Sequence, residues 1–183
     1  GFGDDPEWLR ELRRTAVSRF RELGFPTARR GNEEWKYTDI RPIANGSFRP
    51  LTVPTPVSMN IHDLLPFTFG EFAWNRLVFV DGNYIPALSS VDSLPENVHV
   101  VPLNKAISTN GDVVQEHLAQ YANYDSYPFT ALNTAFIHDG AFVFIPDGVI
   151  VEQPIQLLFI MTPQESPIIV QPRILIVAGV ATK

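Results

Sequence analysis

Residues 136 to 179 decide how this chain is read. They run Phe136-Ile137-His138-Asp139-Gly140, then Ala141 to Pro146, then Asp147-Gly148, then Val149 to Met161, with a polar break from Thr162 to Pro167 before Ile168 to Gly179. Asp-Gly pairs favour tight turns, because glycine reaches positive φ without steric cost and aspartate bonds its own backbone. The stretch therefore reads as strands separated by corners. Val149-Ile150-Val151, Leu157-Leu158-Phe159-Ile160 and Ile174-Leu175-Ile176-Val177 are apolar without alternation and rich in β-branched residues, a pattern expected of strands covered on both faces. An echo supports this: Gln153-Pro154-Ile155-Gln156-Leu157-Leu158-Phe159 aligns with Gln171-Pro172-Arg173-Ile174-Leu175-Ile176-Val177, a proline ahead of each apolar run. Proline is tolerated where a strand begins, and strands recurring with fixed punctuation are expected of a solenoid, whose rungs bury their apolar faces by stacking. Two neighbouring strands of an ordinary sheet would carry the same pattern.

Outward from this stretch, composition sets limits. The chain has 183 residues, 45% hydrophobic and 19% charged, with a net charge of -6 and no cysteine. That is a globular composition with no apolar run long enough to span a bilayer. Without cysteine there are no disulfides, zinc-thiolate sites, thiol nucleophiles or cysteine-ligated iron-sulfur clusters. The start, Gly1-Phe2-Gly3-Asp4-Asp5, has neither the basic end nor the apolar core of a secretory signal, and a cytoplasmic setting is expected.

In chain order, Asp4-Asp5-Pro6 offers an N-cap with proline at the first helical position. Trp8, Leu9, Leu12, Ala16, Phe20 and Leu23 then follow helical spacing until Gly24 and Pro26. Between Arg10 and Lys36 stand 8 basic residues and 4 acids, a local +4 that leaves -10 for the remainder. Nucleic-acid binding would need such a patch, with Trp35 and Tyr37 to stack, but a solvated helix face with paired charges explains it better. Thr38 is placed to cap a short turn through Pro42. Trp35 and Tyr37 read as amphipathic anchors. The stretch from Ala44 to Ser58, with Pro50, Pro54 and Pro56, reads as an extended linker. A short helix is expected over Ile61 to Leu65, a hairpin at Leu77 to Ile85 around Asp81-Gly82-Asn83, and a strand over Val98 to Val101. Helices are expected over Asp112 to Tyr121 and Pro128 to Phe136.

Chemistry-bearing residues do not converge. His62, His99, His117 and His138 share no ligand spacing, and no Ser-His-Asp grouping, phosphate loop or dinucleotide motif is present. Glu33 and Glu34 lack an opposing carboxylate. His138 beside Asp139 allows a carboxylate to orient an imidazole, though a turn histidine bonded to backbone fits as well.

Three stretches, in order, resemble one family. They are Glu33-Glu34-Trp35-Lys36-Tyr37-Thr38-Asp39-Ile40, then Leu77-Val78-Phe79-Val80-Asp81-Gly82-Asn83-Tyr84-Ile85-Pro86, then Asn133-Thr134-Ala135-Phe136 leading into Asp139 to Val149. Together they resemble the SufB/SufD family of iron-sulfur cluster assembly scaffolds, most closely the N-terminal part of SufD. The resemblance implies an α+β chain, with a helical and small-sheet portion over 1–135 and the first strands of a right-handed parallel β-helix over 136–183, truncated there. It also implies a non-enzymatic subunit whose full-length form pairs with a SufB-like subunit and a SufC-like ATPase, in a segment that lacks the ATPase-docking region. No catalytic, cofactor-binding or metal residue carries over, and no cofactor is expected in the segment. Self-association through the open end of the β-helix is expected, with neither nucleic acid nor membrane as a partner. A β-helix glycan-active enzyme and a protein-interaction module are the competing classes, since fold alone does not fix function.

Overall fold

A computed structural model describes residues 5–26, 33–50, 59–68 and 74–183. Helix α1 spans Glu7–Leu23, a 3-10 turn spans Glu33–Trp35, and helix α2 spans Arg41–Ala44. Strand β1 (Arg49–Pro50), a 3-10 helix (Ile61–Phe67), β2 (Asn75–Val80), β3 (Asn83–Tyr84), a 3-10 turn (Pro86–Leu88) and β4 (His99–Pro102) follow. Then come α3 (Leu103–Thr109), α4 (Gly111–His117), α5 (Pro128–Ala135), β5 (Gly140–Ile145), β6 (Ile155–Ile160), β7 (Ile168–Ile169) and β8 (Arg173–Ala178).

The strands form three small sheets, ordered β3-β2-β6, β4-β5-β8 and β1-β7. Within them β2 pairs parallel with β6 from Asn75↔Ile155 to Val80↔Ile160, and β5 pairs parallel with β8 from Gly140↔Arg173 to Ile145↔Ala178. Strand β1 is also parallel to β7, whereas β3 and β4 pair antiparallel with β2 and β5. Consecutive strands β5, β6 and β7 thus enter three different sheets before β8 returns beside β5. The pairing continues past the strand ends: Gly179 N–H donates to Ile145 O at 2.8 Å, Gly148 N–H to Val180 O at 2.9 Å and Val151 N–H to Lys183 O at 2.7 Å.

Side-chain alternation on two central strands divides the core. Phe142 of β5 and Leu175 of β8 meet Leu9 of α1, Leu103 and Ala106 of α3 and Val114 of α4. On its other face β5 places Ala141 and Val143 against Leu77 and Phe79 of β2, with Leu157 and Phe159 of β6 alongside. The opposite face of β2, Val78 and Val80, packs on Leu64 and Leu88. Both faces of β2 and β5 are therefore covered, which is why these runs do not alternate polar and apolar.

Several expectations are corrected. Strand β8 alternates: Leu175 is buried, but Ile174 and Ile176 are 46% and 58% exposed, because they share the parity of Ala141 and Val143 and face a side that no further described strand covers. Val149-Ile150-Val151 forms no strand; its backbone turns a corner while Val149 and Val151 still pack inward. Pro6 is the N-cap of α1 rather than its first residue, and no side chain caps there; Asp5 instead pairs with Arg13 at 3.1 Å. Thr38 caps nothing in α2, whose first N–H, that of Arg41, is taken by the Asp39 carboxylate at 3.0 Å. The helix expected from Asp112 runs Gly111–His117 and stops at Leu118, whose extended backbone breaks it. Helix α3 was not expected at all. Its short segment, Leu103 to Thr109, lacks a local cap and is formed by packing Leu103 and Ala106 into the core. Of the proline-rich linker, residues 51–58 lie outside the described residues, as do Arg29 and Arg30 of the basic stretch.

Candidate interaction surface

The basic helix is a paired surface. Arg10 and Arg14 bond Glu7 and Glu11, Arg14 to Glu11 at 2.8 Å, and Arg19 bonds Glu22 at 2.6 Å. These exposed pairs offset most of the charge on the outer side of the helix, Arg21 aside, without holding it together to any great extent. Arg13 instead turns inward, donating to the Ile137 carbonyl beside its Asp5 contact. Burial pulls its pKa down and Asp5 opposes that. Its role is to fasten α1 to the approach of β5.

The three Asp-Gly corners have carboxylates committed to backbone. Asp81 is buried and accepts from Thr162 N–H at 2.8 Å, Thr162 Oγ1 at 2.6 Å and Gln164 Nε2 at 3.2 Å. Asp147 accepts from Val180 N–H at 2.7 Å. Asp139, also buried, accepts from Asn104 N–H at 3.1 Å and so caps α3 from a distant part of the chain. Burial raises its pKa, against hydrogen bonds from Asn104, Gly140 and Leu103 and the nearby His138. The exposed His138 ring is not oriented by it: the carboxylate faces the helix terminus, where unsatisfied N–H groups converge. These corner clamps were legible only in part, since Asp-Gly marks a turn but not the N–H that its carboxylate will meet.

The four histidines remain apart, and among the described residues no group of three or more His, Cys, Asp or Glu is placed to hold a metal ion. His117 Nδ1 lies 2.6 Å from the Tyr121 hydroxyl. An open pocket of about 250 Å³ is lined by Ser93, Pro95, Ile150, Val151, Glu152 and Gln153, with Glu152 its single carboxylate. Trp35 is half-buried and packs on Phe129 with ring centroids 5.2 Å apart. Tyr37, by contrast, is 90% exposed and anchors nothing, because it lies in the turn beyond Trp35.

What the geometry does offer is surface. Each of the three sheets ends on one of β6, β7 and β8, so each of these strands has an edge that no other described strand pairs, and Arg173 is the one charged residue among them. Arg173 is itself turned towards the helical layer, donating to Thr134 Oγ1 at 2.6 Å. Exposed, weakly charged strand edges are templates for pairing with further chain or with a partner.

The sequence matches the family described as SufBD protein N-terminal region over residues 3–157. The chain belongs to that family. An iron-sulfur cluster assembly SufBD family protein of Synechocystis sp. is 30% identical over 175 residues, which is 96% of this chain and 37% of that protein. The iron-sulfur cluster assembly protein SufD of Bacillus subtilis is 22% identical over 160 residues, 85% of this chain and 36% of its own length. SufD of Escherichia coli is 41% identical over a shorter 66 residues, 36% of this chain and 14% of its own. This SufBD-family chain thus spans a little over a third of the first two of these relatives. The resemblance seen in the sequence is borne out as to family and region. No helix among the described residues is long and apolar enough to cross a membrane.

Proposed function

We propose that this chain is the N-terminal part of a SufD-like scaffold subunit in an iron-sulfur cluster assembly complex, working in the cytoplasm by holding partners in place rather than by catalysing a reaction. The family match carries this reading. Its architectural half is that residues 136–183 begin a right-handed parallel β-helix. Support comes from the parallel return of β8 beside β5, 33 residues on, with β6 and β7 sent to other sheets between them. The stacked Asp147 and Val180 corner extends the same relation. A glycan-active enzyme is less well supported, because Asp139 and Asp147 spend their carboxylates on backbone N–H groups instead of facing one another across a cleft.

Partners in this reading are a SufB-like subunit and a SufC-like ATPase. The full-length protein, co-expressed with both from the same genome, is expected to co-elute with them in size exclusion; separate elution of all three overturns the scaffold role. The 183-residue chain by itself is expected to self-associate through the edges of β6, β7 and β8. Light scattering over a range of concentrations tests this, and a persistent monomer refutes it.

A further inference from the structure

An asparagine or aspartate followed by glycine is able to close on itself, because the glycine main-chain nitrogen reaches the side-chain carbonyl carbon with no Cβ in the way. The chain places glycine after Asn45 and Asn110, and after Asp81, Asp139 and Asp147. The fold holds all but one of these side chains. Asp81, Asp139 and Asp147 accept main-chain N–H groups from elsewhere in the chain. Asn110 sits half-buried at the joint of α3 and α4. Its Oδ1 accepts from Thr109 Oγ1 at 2.8 Å, its N–H donates to Ala106 O at 2.7 Å and its carbonyl accepts from Val114 N–H at 3.0 Å. Turning Asn110 towards the Gly111 nitrogen therefore requires the joint to open.

Asn45 differs. It is exposed at the end of the four-residue helix α2, and among the described residues its carboxamide has no hydrogen-bond partner. Gly46, also exposed, donates its N–H to Ile43 O at 3.2 Å, the long end of the hydrogen-bond range. A single helical turn and one long bond restrain the pair. Glycine is nonetheless required there, since a Cβ on Gly46 would sit 2.7 Å from the Pro42 carbonyl oxygen and meet the Phe48 ring. The turn thus fixes beside Asn45 the residue type that makes an asparagine reactive.

We propose that Asn45 is a site of spontaneous covalent modification, converted to aspartate and isoaspartate through a cyclic imide formed with Gly46. The Gly46 nitrogen loses its proton and bonds to Asn45 Cγ, and the carboxamide nitrogen takes up a proton and leaves as ammonia. Water then opens the ring. Addition at Cγ breaks the new C–N bond and gives aspartate; addition at the Asn45 main-chain carbonyl carbon breaks the original peptide C–N bond and gives isoaspartate. Water is the only co-reactant, and nothing is oxidised or reduced. Either product sets a negative charge one turn from Arg41, whose guanidinium pairs with Asp39. The isoaspartyl form also lengthens the main chain by a carbon where Gly46 packs against Pro42 and Phe48, so the connection from α2 to β1 must rearrange.

The test holds the 183-residue chain at mildly alkaline pH, digests it at intervals and reads the peptides by mass spectrometry with electron-transfer fragmentation. Asn45 should exchange its amide nitrogen for oxygen, as both products, within about ten-fold of the rate in a blocked Ile43-Ala44-Asn45-Gly46-Ser47 peptide, and Asn110 about ten-fold more slowly than Asn45 or slower still, because opening its joint adds to the barrier. In concentrated urea the two sites should react alike. Asn45→Gln replaces an exposed, unbonded side chain and closes a larger ring, so it should abolish the reaction at this position and the matching ammonia release. Asn45 left intact after the free peptide has reacted, Asn110 reacting as fast as Asn45 in the folded chain, or undiminished ammonia release by Asn45→Gln overturns the proposal. No SufB-like or SufC-like subunit takes part, so the result stands apart from the scaffold reading.

Discussion

Asp139 shows how one side chain can tie two elements. Its carboxylate is buried at the N-terminus of α3, where Pro102 offers no side-chain cap. Asp139→Ala leaves the Asn104 N–H without an acceptor and is expected to cost about 1 to 3 kcal/mol, read as a lower denaturation midpoint. Asp139→Asn keeps an acceptor and should cost less. The two also differ in pH response. Burial holds the folded pKa above the ordinary 3.8, so the folded state retains a proton that the unfolded state releases. This contribution to stability is complete below 3.8 and is lost as pH rises through the folded value. Relative to the Asn variant, the wild type should therefore weaken over that window, and chemical denaturation at pH values on either side checks it. Asp39 behaves oppositely: hydrogen bonds from the Arg41 guanidinium, then from its backbone N–H, lower its pKa to about 2. In Arg41→Ala the Asp39 titration followed by NMR should return towards 3.8. Trp35 is half-buried, so Trp35→Ala should cost about 2 kcal/mol, below the range for a fully buried ring. An unchanged midpoint would show that its contact with Phe129 contributes nothing.

Among the elements, the pairing of β5 with β8 depends on the smallest residues at its two ends. Gly140 has φ +153, and a Cβ there would sit on the Arg173 carbonyl. At the other end, a Cβ on Gly179 would meet the Asp147 backbone and carboxylate. Gly140→Ala is thus expected to destabilise by about 3 kcal/mol or more, through backbone strain and a clash with main chain that cannot rotate away. Hydrogen exchange should show lost protection concentrated in Arg173 to Ala178. If protection there is unchanged, the close approach is not what sets the pairing. Helix α1 relies on Leu9 and Ala16 in the core and on inward-facing Arg13, while Arg10, Arg14 and Arg19 on its outer side pair within the helix. That division follows from amphipathic spacing, in which positions three and four apart share a face.

At the scale of the whole molecule, each of the three sheets ends on a strand whose outer edge no other described strand pairs. On one of these, β8, Ile174 and Ile176 are exposed while their register partners Ala141 and Val143 are buried. Natural edge strands are commonly protected by lysine, which discourages pairing at the cost of a buried charge. Ile176→Lys should therefore lower the self-association of the 183-residue chain, shifting the light-scattering mass towards the monomer, while leaving the denaturation midpoint little changed. Equal association by the variant would place the contact elsewhere on the molecule. The sequence by itself determined a good deal: α1 from its apolar spacing, the Asp81-Gly82 hairpin, the strands β4, β6 and β8, helix α5, and the family through three ordered stretches. Each of these rests on residues close in sequence, whose spacing and turn chemistry act locally. Only the tertiary structure decided that α3 forms, that Asp139 caps it from 35 residues away, and that Tyr37 stands in solvent while Trp35 packs. It alone decided that β2 and β6 lie side by side and that one face of β8 is left uncovered. A residue's pattern reports its preference for burial, but which neighbour supplies the cover, and whether any does, depends on segments far away in the chain.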